Sequence, residues 1–106
     1  MITAIVQFKL PEGTSLEDAT KRFQSTAPLY LGHNGLTRKY YIFDEASGTG
    51  GGCYLFENRA MAVATFNDEW RARIKEKYGA DPQIRFFETP VIVDNMQGGI
   101  LGGAED

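Results

Sequence analysis

The chain has 106 residues, of which 42% are hydrophobic and 24% charged, and its formal net charge is -3. This length accommodates one domain with a modest core, and the composition is that of a folded protein rather than a disordered one. A weakly acidic chain with scattered basic residues lacks the electrostatic footprint of a nucleic-acid-binding protein.

Cysteine and histidine are too scarce for a disulfide framework or a structural zinc site. The sequence has one cysteine, Cys53, and one histidine, His33. Neither an internal disulfide nor a zinc ligand set can therefore be assembled. No apolar run is long enough to span a bilayer, and the N-terminus lacks the pattern of a secretory signal. We therefore expect a cytoplasmic protein with no metal, no cofactor and no membrane partner.

The chain begins with the pattern of a strand followed by a helix. Residues 2–9 alternate between apolar and mostly polar side chains, and Ile5 adds an apolar residue to the second face. Ser15 is a suitable N-cap for the next segment, a helix that Pro28 is expected to end or kink. Residues 32–35, Gly-His-Asn-Gly, predict a turn.

A β-hairpin is predicted next. Residues 36–45 alternate and contain four consecutive strand-forming side chains at 40–43. The glycine-rich stretch 46–51 is interpreted as the connection, and 52–57 as a short partner strand.

The second helical region, residues 58–78, changes the phase of its apolar stripe halfway along. Asn58 can cap its start, and Asn67 lies where the two stripes meet. We therefore expect a kink or two short helices.

A last strand is predicted from Gln83 to about Val93, with Pro90 placing that stretch at an edge or a bulge. The tail 96–106 is too glycine-rich for regular structure, and we expect it to be flexible or to order against a partner chain. These boundaries predict a single domain at 1–95 and a separate tail.

The order strand, helix, strand, strand, helix, strand predicts an α+β fold of the ferredoxin-like split βαβ type (βαββαβ). Such a fold has a four-stranded antiparallel sheet with its helices on one face. Here both strand faces carry apolar residues, such as Tyr40 and Ile42 on one face and Tyr41 and Phe43 on the other. An exposed apolar sheet is unusual for a monomer, which favours a two-fold homodimer with paired sheets. The alternative is that some of these aromatic side chains are half-exposed at strand ends.

Two segments resemble a known family. Residues 35–41 (GLTRKYY) and 51–62 (GGCYLFENRAMA) are similar to the YdhR-type monooxygenases of the dimeric α/β-barrel superfamily, which includes the antibiotic-biosynthesis monooxygenases. The resemblance spans residues 2 to about 95. It implies a homodimer whose two sheets form a barrel, with a pocket between sheet and helices in each subunit. It also implies cofactor-independent oxygenation of phenolic substrates. Haem-degrading relatives take their axial histidine from a helix, and neither predicted helix contains one.

Three residues are candidate catalytic groups. Arg38 and Tyr40 share one strand face and could hold a phenolate or carboxylate, although an arginine in such a place is more often a rim residue or part of a dimer salt bridge. His33 is the one side chain whose unperturbed pKa lies near neutrality, which suits a general base at the pocket mouth. Its Gly-His-Asn-Gly turn also suits plain exposure.

Four further residues are candidate substrate contacts. Trp70 lies where the superfamily's pocket is expected, and its indole could stack on an aromatic ring or simply anchor the core. Tyr41 and Tyr54 come from the hairpin, and Gln7 is a polar residue on the first strand. The predicted function is a cofactor-independent monooxygenase acting on a small aromatic or quinone-like substrate. The alternative is a non-catalytic small-molecule-binding or stress-related dimeric module.

Overall fold

Four antiparallel strands form the main sheet in a computed structural model that describes residues 1–96 and 98–102. The strands lie in the order β2-β3-β1-β4. Their bounds are Ile2–Lys9 (β1), Leu36–Asp44 (β2), Thr49–Phe56 (β3) and Gln83–Glu88 (β4). This is the predicted split βαβ sheet, so the ferredoxin-like α+β fold is confirmed.

Three helices pack on one face of this sheet. They are α1 (Leu16–Tyr30), α2 (Arg59–Thr65) and α3 (Asp68–Tyr78). The side chains of Ser15, Asn58 and Asn67 each accept a hydrogen bond from a backbone N–H three residues on, so local capping defines all three starts. The break expected at Asn67 is confirmed. None of the described helices is long and apolar enough to cross a membrane.

Pro28 was predicted to end or kink α1. The helix does not end there, because it continues to Tyr30. A proline this close to the C-terminus removes only one hydrogen bond of the helix. Tyr30 is held by a tertiary contact, since its hydroxyl accepts a hydrogen bond from the Trp70 indole at 2.9 Å.

The hairpin connection is shorter than the predicted stretch 46–51: residues 46–48 form the turn, whereas 49–51 belong to the strand. β3 already begins at Thr49 and runs through Gly50, Gly51 and Gly52. A Cβ at residue 51 would lie 1.8 Å from the Val6 carbonyl oxygen of β1. Glycine is therefore required by the close approach of the two backbones.

The predicted last strand is divided in two. β4 ends before Pro90, and β5 (Val91–Asp94) pairs with β6 (Gly99–Gly102) in a separate two-stranded sheet. The expectation that the tail lacks regular structure is therefore wrong for 99–102. Residue 97 and residues 103–106 lie outside the described residues.

The core lies between the sheet and the helices. Ile2, Ala4, Val6 and Phe8 of β1 are buried on this side, whereas the alternate residues of β1 are exposed or half-buried. On the opposite side, which we call the open face, Tyr40, Ile42 and Phe87 remain exposed at 55%, 36% and 39%. The sheet thus separates a closed interior from an apolar surface.

Candidate functional site

A cavity of about 470 Å³ lies between the sheet and helices α1 and α3. Its volume falls within the range of small-molecule sites. The walls are mainly aromatic: Phe23, Tyr30, Tyr41, Tyr54, Trp70 and Tyr78.

The Lys39 amine lies inside this aromatic wall. Lys39 is opposite Tyr54 in the β2–β3 register, so both side chains leave the sheet towards the helices. Its Nζ lies 3.4 Å from the ring centroid of Tyr30, 3.7 Å from that of Tyr41 and 4.5 Å from that of Tyr54. The amine therefore faces three ring surfaces, contributed by one helix and two strands.

Burial lowers the pKa of Lys39 to about 7, because the ammonium loses its hydration. The three ring faces act against this effect, since an aromatic face attracts a cation. Lys39 takes part in none of the ion pairs formed within the described part of the chain. The amine can therefore exchange a proton near neutral pH, which an ordinary lysine cannot do.

Burial keeps three tyrosine hydroxyls of the cavity in the neutral form. Burial raises the pKa of Tyr41 and Tyr54, and it raises the pKa of Tyr78 to about 12. The Tyr41 hydroxyl is 2.7 Å from the Thr26 hydroxyl, and that of Tyr30 accepts from the Trp70 indole. The cavity thus places the Lys39 amine beside protonated phenols, and charged side chains also line it: Arg73, Glu76 and Lys77.

Three of the residues singled out from the sequence lie together at the cavity: Trp70, Tyr41 and Tyr54. Trp70 is only 3% exposed, and its indole N–H is engaged by Tyr30. Its ring is a buried wall of the site, and its N–H is not directed at a ligand.

Arg38, Tyr40 and Gln7 lie on the open face, away from the cavity. The register aligns Tyr40 with Cys53 and Ile5, and Gln7 with Gly51. The Arg38 guanidinium donates to the Asp94 carboxylate at 2.9 Å and to the Tyr40 hydroxyl at 3.4 Å. The sheet therefore separates these three side chains from Trp70.

His33 lies in the turn after α1 and belongs neither to the cavity lining nor to the residues of the open face. Its Nε2 is 2.8 Å from the Thr65 hydroxyl, and its ring centroid is 6.3 Å from that of Tyr30. No group of three or more histidine, cysteine or acidic side chains in the described ranges is placed to hold a metal ion.

Lys39 and Tyr30 are among the cavity residues that the sequence analysis did not select. A signal for Lys39 was present, because it alternates in step with Tyr41 and Phe43 on an apolar strand face. A lysine on such a face is either snorkelling or functional. Tyr30 follows a proline near the end of a helix, and its role depends on tertiary contacts.

Comparison with known proteins identifies the fold. No family model and no curated sequence matches the chain. A candidate antibiotic biosynthesis monooxygenase from Deinococcus radiodurans superposes with a TM-score of 0.64 at 13% identity, covering 89% of this chain and 97% of that one. NE2512 from Nitrosomonas europaea, a protein of unknown function, superposes with a TM-score of 0.63 at 22% identity, covering 83% of this chain and 87% of that one.

A third structure is a conserved protein of unknown function and possible oxidoreductase from Bacteroides thetaiotaomicron. It superposes with a TM-score of 0.60 at 16% identity, covering 83% of this chain and 96% of that one. The chain therefore shares its ferredoxin-like fold with these three structures. At these identities the likeness concerns the fold and not the activity.

Proposed function

We propose that this protein is a cofactor-independent monooxygenase, related to the YdhR-type family, that oxidises a small phenolic substrate to a quinone in the aromatic cavity. One observation carries the proposal: the Lys39 amine lies among three tyrosine rings in a cavity of about 470 Å³. The fold shared with a candidate monooxygenase is consistent with it.

The chemistry requires a phenolate, because the electron-rich anion is the form that reacts with dioxygen. Neutral Lys39 accepts the phenol proton, and the resulting ammonium stays beside the phenolate. The Tyr54 hydroxyl, whose pKa is raised by burial, remains a hydrogen-bond donor at the same wall. The aromatic walls exclude water from the anion.

The substrate itself can supply all the electrons. A phenol with a free para carbon and one dioxygen give one quinone and one water. One oxygen atom bonds to the ring carbon, and the other leaves as water with the two hydrogens lost from the hydroxyl and the ring. The reaction therefore balances without a further reductant.

The test is oxygen uptake by the purified protein with a panel of hydroxylated aromatic compounds. We expect Lys39→Met to lower turnover by about 10²-fold or more, since it removes the base. The exposed Lys21→Met variant should retain activity. Undiminished turnover in Lys39→Met would contradict the proposed role.

A non-catalytic binding module is the second candidate. The observation that favours it is that His33, Arg38 and Tyr40 do not line the cavity, so Lys39 lacks the three predicted catalytic partners there. Saturable binding of a phenol by calorimetry, with no oxygen uptake and no product, would establish this alternative.

We also propose that two copies pair through their open faces. Tyr40, Ile42 and Phe87 are exposed there, and pairing would cover an apolar surface that solvent otherwise contacts. Arg38 and Tyr40 then belong to the interface region rather than to the substrate cavity.

A further inference from the structure

The Lys39 amine differs in its surroundings from the other lysines of the chain. Lys9, Lys21, Lys75 and Lys77 are exposed. Each has a polar partner: a backbone carbonyl for Lys9, a carboxylate for Lys21 and Lys75, and the Ser25 hydroxyl for Lys77. Lys39 instead faces the rings of Tyr30, Tyr41 and Tyr54. Because Lys77 also lines the cavity, the internal references for the reactivity of Lys39 are Lys9, Lys21 and Lys75.

The free volume of the cavity lies directly beside this amine. Lys39, Trp70 and Ile74 line the same space of about 470 Å³, which is large enough for a one- or two-ring molecule. Gly52 leaves room for the Lys39 side chain to reach this space, since a Cβ there would lie 3.1 Å from the Lys39 Cε. A carbonyl group on an aromatic ring can therefore approach Nζ while its ring packs against the walls.

A neutral amine in a half-buried, aromatic site is a nucleophile towards carbonyl carbon. The lone pair of Nζ attacks the carbonyl carbon, a proton moves from nitrogen to oxygen, and loss of one water leaves a C=N bond. No oxidant or reductant is consumed. Burial lowers the pKa of Lys39 to about 7, so the neutral amine is available at neutral pH.

We propose that Lys39 is a covalent capture site, at which an aromatic aldehyde or ketone forms an imine inside the cavity. This inference uses the cavity of the proposed function but does not depend on its oxygenation step. It assigns to the same site a second substrate class, aromatic carbonyl compounds, held by a bond that water can reverse.

The test is reductive trapping on the full chain. The protein is incubated at pH 7 with 4-hydroxybenzaldehyde and cyanoborohydride, and adducts are located by peptide mapping. At this pH we expect Lys39 to be labelled at least about tenfold faster than Lys21, because ordinary lysines are almost fully protonated. The Met1 α-amine is a second primary amine that can be labelled, and its adduct is distinguished by its own peptide.

Two controls show whether the cavity is responsible. The ring compound p-cresol has no carbonyl group and should protect Lys39 while leaving labelling of Lys21 and Met1 unchanged. Formaldehyde, which needs no ring pocket, should discriminate between Lys39 and Lys21 less than the aromatic aldehyde does. Lys39→Arg should lose the aromatic adduct, and Lys21→Arg should keep it.

Two results would overturn the inference: equal labelling of Lys39 and Lys21 at pH 7, or failure of p-cresol to protect Lys39. Both are obtained with the wild-type chain, so they do not depend on a variant's folding. Oxygen uptake is measured separately. Selective labelling without oxygen uptake supports covalent capture and argues against the monooxygenase, whereas oxygen uptake without labelling does the reverse.

Discussion

Lys39 is placed by its neighbours on three elements. Its side chain crosses the space left by Gly52, and a Cβ at that glycine would be 2.9 Å from a Tyr54 ring carbon. Tyr30 from α1 covers the amine at 3.4 Å from the ring centroid. Dehydration and ring attraction therefore act on Nζ in opposite directions, with burial lowering its pKa.

The lowered pKa of Lys39 predicts a specific dependence of stability on pH. Between its folded pKa of about 7 and the ordinary value of 10.5, the unfolded chain holds a proton that the folded protein has released. The free energy of unfolding must then rise with pH, by about 1 kcal/mol per unit. Urea unfolding at pH 7, 8 and 9 should show this rise in wild type relative to Lys39→Met.

Lys21→Met serves as the control, because Lys21 is exposed and its i,i+4 partner Glu17 is exposed too. Its stability should follow that of wild type across the same range. A constant difference between wild type and Lys39→Met from pH 7 to 9 would contradict the prediction. The highest pH of this series, pH 9, lies below the pH at which an ordinary tyrosine titrates.

At the scale of elements, local chemistry was the reliable guide. Ser15, Asn58 and Asn67 each bond a backbone N–H close by in sequence, so the helix starts follow from short-range signals alone. Gly50 and Gly51 were assigned to the connection because glycine has low strand propensity, whereas the close approach of the β1 backbone requires glycine at 51. No local signal reveals such a contact.

The strand faces show why only part of the site could be predicted. Alternation correctly groups Lys39 with Tyr41 and Arg38 with Tyr40, although a β-bulge lies between Leu36 and Arg38. Both faces of β2 are apolar, so the pattern could not determine which face meets the helices. Arg38 and Tyr40 were therefore assigned to a cavity that lies on the other side of the sheet.

The start of α3 offers a test of capping at the site. The Asn67 side-chain oxygen accepts from the Trp70 backbone N–H at 2.9 Å, and α3 carries Trp70 into the cavity wall. Asn67→Ala should lower the free energy of unfolding by about 1 kcal/mol, because it leaves that donor without its partner. The denaturant midpoint measures the change.

Asn67→Asp is the matched control, since aspartate caps as well as asparagine and favours a helix N-terminus. It should remain within a few tenths of a kcal/mol of wild type. Equal losses in both variants would show that the capping bond is not the source of the effect.

At the scale of the whole molecule, the C-terminal hairpin is tied to the far edge of the sheet. Asp94 on β5 is 4% exposed at its side chain and pairs with Arg38 on β2, whereas β5 follows β4 in the chain. Val93 and Ile100 of this hairpin are exposed at 66% and 70%. The hairpin thus adds apolar surface to that of the open face.

The proposed dimer predicts that a charge on the open face weakens association. Ile42→Lys places an ammonium in the paired surface, where its dehydration is costly. The dissociation constant should rise at least about a hundredfold, which corresponds to roughly 2.7 kcal/mol. Analytical ultracentrifugation over a concentration series measures it.

Val63→Lys is the control, because Val63 is also apolar and exposed, at 54%, but lies on α2. It should leave the association constant unchanged. A wild-type protein that stays monomeric at high micromolar concentration, or equal weakening by both lysines, would exclude pairing through this face.

The contact between Trp70 and Tyr30 makes the tryptophan an intrinsic fluorescent probe of the cavity. Trp70 is the one tryptophan of the chain, and its indole donates to the hydroxyl of the ring that covers the Lys39 amine. Only the Tyr30 side chain therefore separates the fluorescent indole from the Lys39 amine. Protonation of the amine and arrival of a ligand can be followed in the unmodified protein, with no label attached to the cavity.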